Sequence, residues 1–265
     1  MKRQRIFWVL LVVFFLAYGN VSAENTKTGE VAGTLRTKDG AAMTGGLVYF
    51  FTKKGPLPDP DKYWRVPDFL SEIKDNGKFS IVLPEGEYYF GAIKRNAGKT
   101  ENGPPQDGDF FYKALDNKGR PKLYSVKKGK KLNLGVVSGA TPFKGLTGGD
   151  KVSAIEGKVV TADGTPVAGA LVFAFVTDSM VGKPTFASYR SGSDGKYALR
   201  VSEGGNYYLK ARDVYGGGPP VTGAIIGSYG GEAPQAVVVK TGEITRGIDI
   251  TVEKFKGRGQ QGPPQ

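Results

Sequence analysis

The sequence contains neither histidine nor cysteine among its 265 residues. These absences exclude a histidine-dependent catalytic triad, a thiol nucleophile and a conventional zinc or copper site. Without disulfides, an exported chain must be stabilised by its hydrophobic cores alone. The glycine clusters also follow neither Walker nor dinucleotide spacing, which excludes the usual phosphate-binding loops. We therefore predict a non-catalytic protein with no catalytic residue, no metal and no cofactor.

The first 23 residues have the layout of a secretory signal peptide. A basic start is followed by an apolar run over residues 6–18 and by the small residues Val21, Ser22 and Ala23. The run is shorter than the roughly 20 residues of a spanning helix, which favours a cleaved signal peptide. An uncleaved membrane anchor is the alternative interpretation. No cysteine follows the run, which excludes a lipoprotein anchor. We expect a periplasmic or secreted protein with no stable membrane insertion after cleavage.

The chain is basic, with a formal net charge of +12 at pH 7. A basic protein outside the cytoplasm meets anionic lipids, polysaccharides and acidic proteins, whereas export removes nucleic acid as a partner. The basic residues are mostly scattered, which favours the alternative that they serve only to keep the protein soluble. The main cluster is short and consists of Lys127, Lys128, Lys130 and Lys131.

The sequence contains an internal repeat. Residues 33–51 align without gaps on residues 157–175, and eight of these nineteen positions are identical. Gly77-Lys78-Phe79 recurs later as Gly195-Lys196-Tyr197, and Tyr88-Tyr89 recurs as Tyr207-Tyr208. The period exceeds that of solenoid repeats, so each copy should be a whole domain. We predict a signal peptide at 1–23, a first domain at 24–137, a linker at 138–151, a second domain at 152–256 and a disordered tail at 257–265.

The local pattern within each copy predicts short β-strands joined by tight turns. The sequence has 40 glycines and 16 prolines among many Val, Tyr and Phe residues, a composition typical of strands with frequent turns. Residues 155–161 and 171–176 are predicted strands around an Asp-Gly turn, and residues 197–201 and 207–211 are predicted arms of a hairpin. No long segment has helical periodicity. About seven short strands per copy predict an all-β chain of two tandem β-sandwiches.

The second domain resembles the carboxypeptidase regulatory-like domain. The resemblance rests on residues 157–160 (GKVV), 163–172 (DGTPVAGALV), 193–197 (SDGKY) and 203–208 (EGGNYY). It implies a seven-stranded transthyretin-like (prealbumin-like) sandwich, a module that is appended to many proteins as an accessory. The first domain matches the same blocks but carries an insertion at residues 53–74. At this level, starch-binding domains and collagen-binding B-type repeats are similar too.

Two groups of carboxylates are candidates for chemistry. Asp59, Asp61 and Asp68 could supply oxygen ligands for calcium, but their spacing lacks the glycine and the distal glutamate of an EF-hand loop. Asp107 and Asp109 could act as paired carboxylates, but no pocket signature accompanies them. We interpret both groups as solvated acidic loops.

Lys158 and Asp249 suggest a covalent link. Collagen-binding B-type domains can join a lysine of the first strand to a carboxyl or amide side chain of the last strand. In this sequence the alternation along both strands places Val159, Ile248 and Ile250 inward. Lys158 and Asp249 then point outward, which does not favour the bond.

Aromatic residues in loops are the candidate binding residues. Tyr63 and Trp64 lie in the proline-rich insertion of the first domain, and Tyr215 and Tyr229 flank a Gly-Pro run in the second. Such residues stack on sugars or form protein interfaces. The alternative is that they anchor their loops over the edge of the sandwich. We predict these four residues as contacts with a partner or glycan.

Two classes of function remain open at this stage. The first is a structural or interaction protein of the periplasm or cell exterior, which binds a cell-envelope or extracellular protein through its loops. The alternative is a carbohydrate-binding protein that presents its loop aromatics to a polysaccharide. In both cases we expect binding to depend more on the insertion than on the strands, because a rigid scaffold concentrates function in its loops.

The predicted signal peptide gives the first test. Mass spectrometry of the protein recovered from its native host should show Glu24 as the first residue, because small residues occupy the two positions that signal peptidase recognises. An intact Met1 on a membrane-bound protein would show instead that the apolar run is an anchor.

Overall fold

The computed structural model describes residues 27–96, 102–145, 152–216 and 219–257. The predicted signal peptide and residues 258–265 of the predicted tail lie outside the described residues, as do residues 146–151 of the predicted linker. The described residues contain seventeen β-strands and one short 3-10 turn. None of their helices is long and apolar enough to cross a membrane.

Eight strands belong to the first domain. They are β1 (Thr28–Thr37), β2 (Leu47–Thr52), β3 (Phe69–Glu72), β4 (Lys78–Pro84), β5 (Gly86–Lys94), β6 (Phe110–Lys113), β7 (Leu123–Val126) and β8 (Lys131–Pro142). The 3-10 turn, Asp75–Gly77, precedes β4.

Nine strands belong to the second domain. They are β9 (Ser153–Thr161), β10 (Leu171–Phe175), β11 (Phe186–Ala187), β12 (Lys196–Val201), β13 (Gly205–Arg212), β14 (Ile225–Ser228), β15 (Val237–Val239), β16 (Ile244–Thr245) and β17 (Ile250–Lys254).

The first domain is one hydrogen-bonded sheet that folds over itself. Its strand order is β3-β2-β5-β6-β8-β1-β4, and β7 pairs with β5 beside β6. The first strand, β1, is antiparallel to β4 and parallel to β8. The two ends of the sheet approach each other, because the Ser71 hydroxyl on β3 donates to the Ser80 carbonyl on β4 at 3.3 Å. The result is a sandwich with β3-β2-β5-β6 in one layer and β8-β1-β4 in the other.

The second domain repeats this topology strand for strand. Its order is β11-β10-β13-β14-β17-β9-β12, with β15 paired to β13. The short strand β16 and the strand β17 both run parallel to β9 and together take the place of β8. The predicted fold class is therefore confirmed. The main path of each sheet has seven strands. The remaining strands are β7, which pairs with β5, β15, which pairs with β13, and β16, which pairs with β9.

The first domain is longer than the sequence predicts. β8 continues to Pro142, and its last two residues pair with β6. Residues 138–142 therefore belong to the sheet and not to the linker. The composition of this stretch is misleading because Gly135 and Gly139 lie inside the strand, where glycine often marks a bulge. The pairing of β1 with β8 does shift register twice along this strand.

The strands β2 and β10 are buried on both faces. In β2, Val48 and Phe50 belong to the core of the first domain, whereas Leu47, Tyr49 and Phe51 belong to a different hydrophobic cluster. The equivalent positions of β10 divide in the same way: Val172 and Ala174 lie in the core of the second domain, and Leu171, Phe173 and Phe175 lie in the other cluster. A strand that is covered on both sides reads as a continuous apolar run, which accounts for the sequence of these segments.

Four turn glycines that follow Asp or Asn in the sequence adopt the backbone conformation that favours glycine. Gly40, Gly77, Gly164 and Gly195 all have positive φ, between 75° and 93°. Their surroundings differ. A Cβ atom on Gly164 would meet open space, whereas a Cβ on Gly195 would lie 2.6 Å from the Val159 carbonyl oxygen.

These two glycines form a matched pair for a stability test. Gly164→Ala should lower the free energy of unfolding by about 1 kcal/mol, the strain of a Cβ in the left-handed region. Gly195→Ala should cost clearly more, because the same strain is joined by a steric clash with β9. Urea unfolding of the chain from residue 24 onward measures both. Equal losses would mean that the Gly195 turn is not pressed against β9.

Candidate functional site at the junction of the two domains

The outward faces of β2 and β10 meet in one hydrophobic cluster, which we call the junction. The three outward residues of β2 and the three of β10 occupy equivalent positions of the repeat. The first domain contributes Leu47, Tyr49, Phe51, Trp64, Val66, Ile93, Phe111 and Phe143, and the second contributes Leu171, Phe173, Phe175, Met180 and Ala187. The same face of both domains is therefore used to join them.

The insertion of the first domain reaches across the junction and pairs with the second. Residues 64–66 run antiparallel to β11, with a bridge between Arg65 and Phe186. The Val66 amide donates to the Thr185 carbonyl at 2.9 Å, and the Ala187 amide donates to the Trp64 carbonyl at 3.2 Å. The insertion thereby covers the edge of the second domain's sheet. Unpaired backbone groups at this edge could otherwise form hydrogen bonds with a strand of another chain.

Tyr63 enters the core of the second domain. It is 9% exposed and belongs to that domain's hydrophobic cluster, where its ring stands edge-on to Phe186 at 5.5 Å between centroids. Its hydroxyl donates to the Leu57 carbonyl at 2.5 Å. Burial raises the pKa of Tyr63 to about 12, so the phenol stays neutral at physiological pH.

Trp64 occupies the centre of the junction. It is 5% exposed and stands edge-on to Tyr49 at 5.4 Å between centroids. Its indole Nε1 donates to the Tyr215 hydroxyl of the second domain at 3.0 Å. Tyr215 in turn packs against Phe173 at 5.6 Å, and burial raises its pKa. Trp64 thus connects the two domains by both packing and a hydrogen bond.

Two of the four predicted binding residues, Tyr63 and Trp64, are therefore not solvent-facing. The structure buries both against the second domain, in agreement with the alternative that they anchor their loop. Tyr215 is half-buried in the same junction, while Tyr229 is half-buried against the core of the second domain. The sequence displays a proline-rich polar loop but not the apolar face that receives it. Contact of these residues with a partner or glycan stays a prediction.

One carboxylate of the insertion holds a cation from each domain. The Asp68 carboxylate accepts from the Arg65 guanidinium at 2.8 Å and lies 3.3 Å from the Lys183 ammonium of the second domain. Lys183 also donates to the Val66 carbonyl at 2.9 Å, and Arg65 lies over the Phe51 ring at 5.4 Å. Burial lowers the pKa of Arg65 and of Lys183, and Asp68 opposes this shift in both.

The candidate calcium ligands do not converge. Asp68 is engaged by the two cations of the junction, Asp59 pairs with Lys62 at 3.3 Å, and Asp61 contacts Lys113. Within the described ranges, no group of three potential ligands could hold a metal ion. The acidic residues of the insertion stabilise its conformation through ion pairs.

The remaining candidates also have structural roles. The interpretation of Asp109 as part of a solvated loop is wrong, because Asp109 is buried and accepts from the Arg95 guanidinium at 2.5 Å and from the amides of Asn96 and Gln106. Lys158 and Asp249 are both exposed, as the alternation predicts, and the Asp249 carboxylate accepts from the backbone amide of Lys158 at 2.8 Å. That hydrogen bond involves the main chain of Lys158 and not its ammonium group.

A groove of about 270 Å³ opens where the two domains meet, and we call it the junction groove. The buried amide oxygen of Asn102 accepts no hydrogen bond from any described residue. At the rim, Leu70 is 43% exposed, and Val181, next to the lining residue Gly182, is 80% exposed. The lining consists of Val66, Pro67, Leu70 and Asn102 from the first domain and Phe173, Gly182, Lys183, Pro184, Tyr215 and Gly216 from the second.

A second, smaller pocket lies under the insertion of the first domain. Its volume is about 40 Å³, enough for one or two waters. Tyr63 and Trp64 line it together with Phe111 and Tyr112. Of the lining residues of the junction groove, Tyr215 is a predicted contact residue, whereas the others belong to no motif that indicates a groove. The available signal was the apolar character of β2 and β10 on both faces.

Comparison with known proteins assigns no family. No protein-family model matches the chain, and no curated protein matches it. The resemblance to the carboxypeptidase regulatory-like domain therefore stays a prediction.

Solved structures give distant matches. The minor pilin GBS52 of Streptococcus agalactiae is 14% identical, with 89% of this chain and 100% of that chain covered and a TM-score of 0.26. The Bacillus anthracis TIE protein is 12% identical, with 85% and 34% covered and a TM-score of 0.26. A streptococcal ancillary pilin is 15% identical, with 88% and 64% covered and a TM-score of 0.25. The chain thus spans only part of the last two proteins. Similarity at this level assigns no function.

The hydrogen bond between Trp64 and Tyr215 gives a test of the junction. Tyr215→Phe should lower the free energy of unfolding by about 1–3 kcal/mol, because the buried indole N–H loses its acceptor. Trp64→Ala should cost about 3–5 kcal/mol and should destabilise both domains. Tyr229→Phe is the matched control and should change little. Thermal and urea unfolding measure all three. A Trp64→Ala protein that melts like the parent would contradict burial at the junction.

Proposed function

We propose that this chain is an exported, non-catalytic structural and interaction protein in which two β-sandwiches act as one rigid unit. The observation that carries the proposal is the junction, a hydrophobic cluster built from equivalent faces of both domains. Domains joined by small polar interfaces move relative to each other, whereas an extensive hydrophobic interface opposes such motion. The unit is suited to presenting a surface in a fixed geometry.

Three independent contacts support rigidity. Tyr63 of the first domain packs in the core of the second, residues 64–66 form backbone hydrogen bonds with the edge of the second domain's sheet, and Asp68 holds Lys183 across the boundary. Separation of the domains would have to break the core packing, the backbone hydrogen bonds and the ion pair together. We infer that the exported protein keeps one relative orientation of its domains.

The junction groove is the surface that we propose for a protein partner. Grooves between domains are common binding sites, and this one combines apolar walls with few polar groups. The exposed Leu70 and Val181 would cover an apolar side chain of the partner. The partner would be an extended, apolar segment of another cell-envelope or extracellular protein.

The carbohydrate alternative has less support. Stacking on a sugar uses the open face of an aromatic ring, and every aromatic side chain within the described ranges is buried or half-buried. Trp64, the best stacking residue of the insertion, is enclosed by other rings at the junction. A glycan would need a surface other than the predicted aromatics.

Site-specific photo-crosslinking in the native host tests this assignment. A photoreactive phenylalanine analogue at position 181, on the groove rim, should give an adduct of higher mass on illumination. The same analogue at position 82 is the control, since Val82 is also exposed (64%) but lies on β4, in the layer away from the junction. Leu70→Glu should abolish the adduct from position 181, because it charges the apolar rim.

Three results would contradict the groove. They are equal adducts from both positions, no adduct from position 181, and an adduct that survives Leu70→Glu. Each would move the partner contact to another face or leave a structural role without a partner at the groove.

A further inference from the structure

The turn between β7 and β8 carries a compact group of positive charges. We call it the lysine turn, and it consists of Lys127, Lys128, Gly129, Lys130 and Lys131. The Lys130 amide donates to the Lys127 carbonyl at 3.1 Å, which closes a four-residue β-turn. Gly129, the third residue of this turn, has a φ of +64°, a conformation that favours glycine. All four lysines are exposed. The turn therefore projects its ammonium groups from one end of the first domain.

The backbone of the lysine turn is held firmly against the first strand. The Gly129 amide donates to the Thr28 carbonyl at 2.7 Å, and the Glu30 amide donates to the Lys130 carbonyl at 2.9 Å. Gly29 permits this approach, because a Cβ there would lie 2.4 Å from the Lys127 carbonyl oxygen. A turn fixed in this way loses little conformational freedom when it binds a ligand.

The charges of the lysine turn are only partly neutralised. Lys131 pairs with Glu30 at 2.8 Å. Among the described residues, the ammonium groups of Lys127, Lys128 and Lys130 form no ion pair within 4.0 Å, although the Lys128 amide lies 3.5 Å from the Glu85 carboxylate. The surrounding domain adds to this potential. Residues 27–145 have 21 Lys and Arg against 13 Asp and Glu, whereas residues 152–257 have 11 against 10.

The second domain contains the same turn without the charge. Lys240, Thr241, Gly242 and Glu243 occupy the equivalent position between β15 and β16. The Glu243 amide donates to the Lys240 carbonyl at 3.1 Å, and the Ala154 amide of β9 donates to the Glu243 carbonyl at 3.1 Å. Here Lys240 and Glu243 lie 3.9 Å apart and neutralise each other. The fold therefore needs the glycine and the backbone contacts of this turn but not three unpaired lysines.

The lysine turn also lies where the chain enters the first domain. The Glu85 amide donates to the Lys27 carbonyl at 2.7 Å, and β1 begins directly after Lys27, at Thr28. Eight residues separate Lys27 from Tyr18, the end of the apolar run. Eight residues extend to at most about 28 Å. Before cleavage of the signal peptide, while the apolar run occupies the bilayer, the lysine turn is thus within reach of the lipid headgroups.

We propose that the lysine turn is a docking site for an anionic membrane surface. The ligand groups are the phosphates of anionic lipid headgroups, which attract clustered lysines near a bilayer with a strength that adds up over the charges. Binding is peripheral, through the exposed ammonium groups, and does not require insertion of the folded domains. The first domain then faces the membrane, while the junction groove belongs to a different surface. This site is independent of the protein partner proposed above.

Vesicle flotation tests the proposal with the exported chain, residues 24–265. The probes are vesicles of phosphatidylcholine alone and of phosphatidylcholine with an equal amount of phosphatidylglycerol. The protein should float with the anionic vesicles only, and binding should weaken steeply between about 50 and 300 mM salt as the charges are screened.

A matched pair of variants isolates the lysine turn. Lys128→Thr with Lys130→Glu converts the turn to the sequence of its counterpart in the second domain, where the same backbone conformation is compatible with those residues. It should weaken binding at least about tenfold. Lys54→Thr with Lys118→Glu changes the net charge equally at two other exposed positions and should weaken binding much less. Lys128→Arg with Lys130→Arg should keep full binding. Melting temperatures check that every variant is folded.

Three outcomes would overturn the proposal. Absence of binding to anionic vesicles at low salt would exclude the membrane as the ligand. An equal loss in both charge-reducing variants would show that net charge and not the turn is responsible. Turn-dependent retention on an immobilised anionic polysaccharide, without binding to vesicles, would assign the site to a polymer of the cell envelope instead.

Discussion

The rest of the structure depends on two equivalent strands that are apolar on both faces. β2 and β10 each fill a domain core with one face and the junction with the other. Full burial of a large apolar side chain contributes about 1.5–3 kcal/mol, and three such residues from each strand meet at the junction. Neither domain could leave this face in water without a substantial loss of stability. We therefore expect the two sandwiches to keep one relative orientation and not to move independently.

The sequence predicts the sandwiches because their local and long-range signals agree. The turn glycines, the alternation that places Val159 and Ile250 inward, and the repeat itself all depend on contacts within one domain. The junction depends on contacts between domains, which local patterns indicate only weakly. Tyr63 and Trp64 show the difference: proline and charge around them indicate a solvated loop, and only the neighbouring apolar face makes burial favourable. The outward residues of β2 and β10 were the one local indication that such a face existed.

The charged group around Asp68 has a different role from the hydrophobic contacts. Desolvation of two cations and a carboxylate offsets much of their mutual attraction, so the group adds little net stability. Its effect is to disfavour other alignments of the insertion along β11. If the insertion slipped along β11, Lys183 would lose both the Asp68 carboxylate and the Val66 carbonyl, and an unpaired, partly buried charge is costly. We therefore regard Asp68 and Lys183 as a constraint on the register of the junction, and the apolar side chains as its source of stability.

The symmetry of the junction limits how this chain can assemble further. When two copies of a unit meet through the same face, the contact is closed, because neither copy keeps that face for a third. Here the two copies lie in one chain, and the insertion also covers the edge strand β11. The most apolar faces of both sandwiches are thus consumed within the molecule. Surfaces that differ between the two copies remain available to a partner. The junction groove, which is lined mostly by loop residues, and the lysine turn, which is charged in only one domain, are surfaces of that kind.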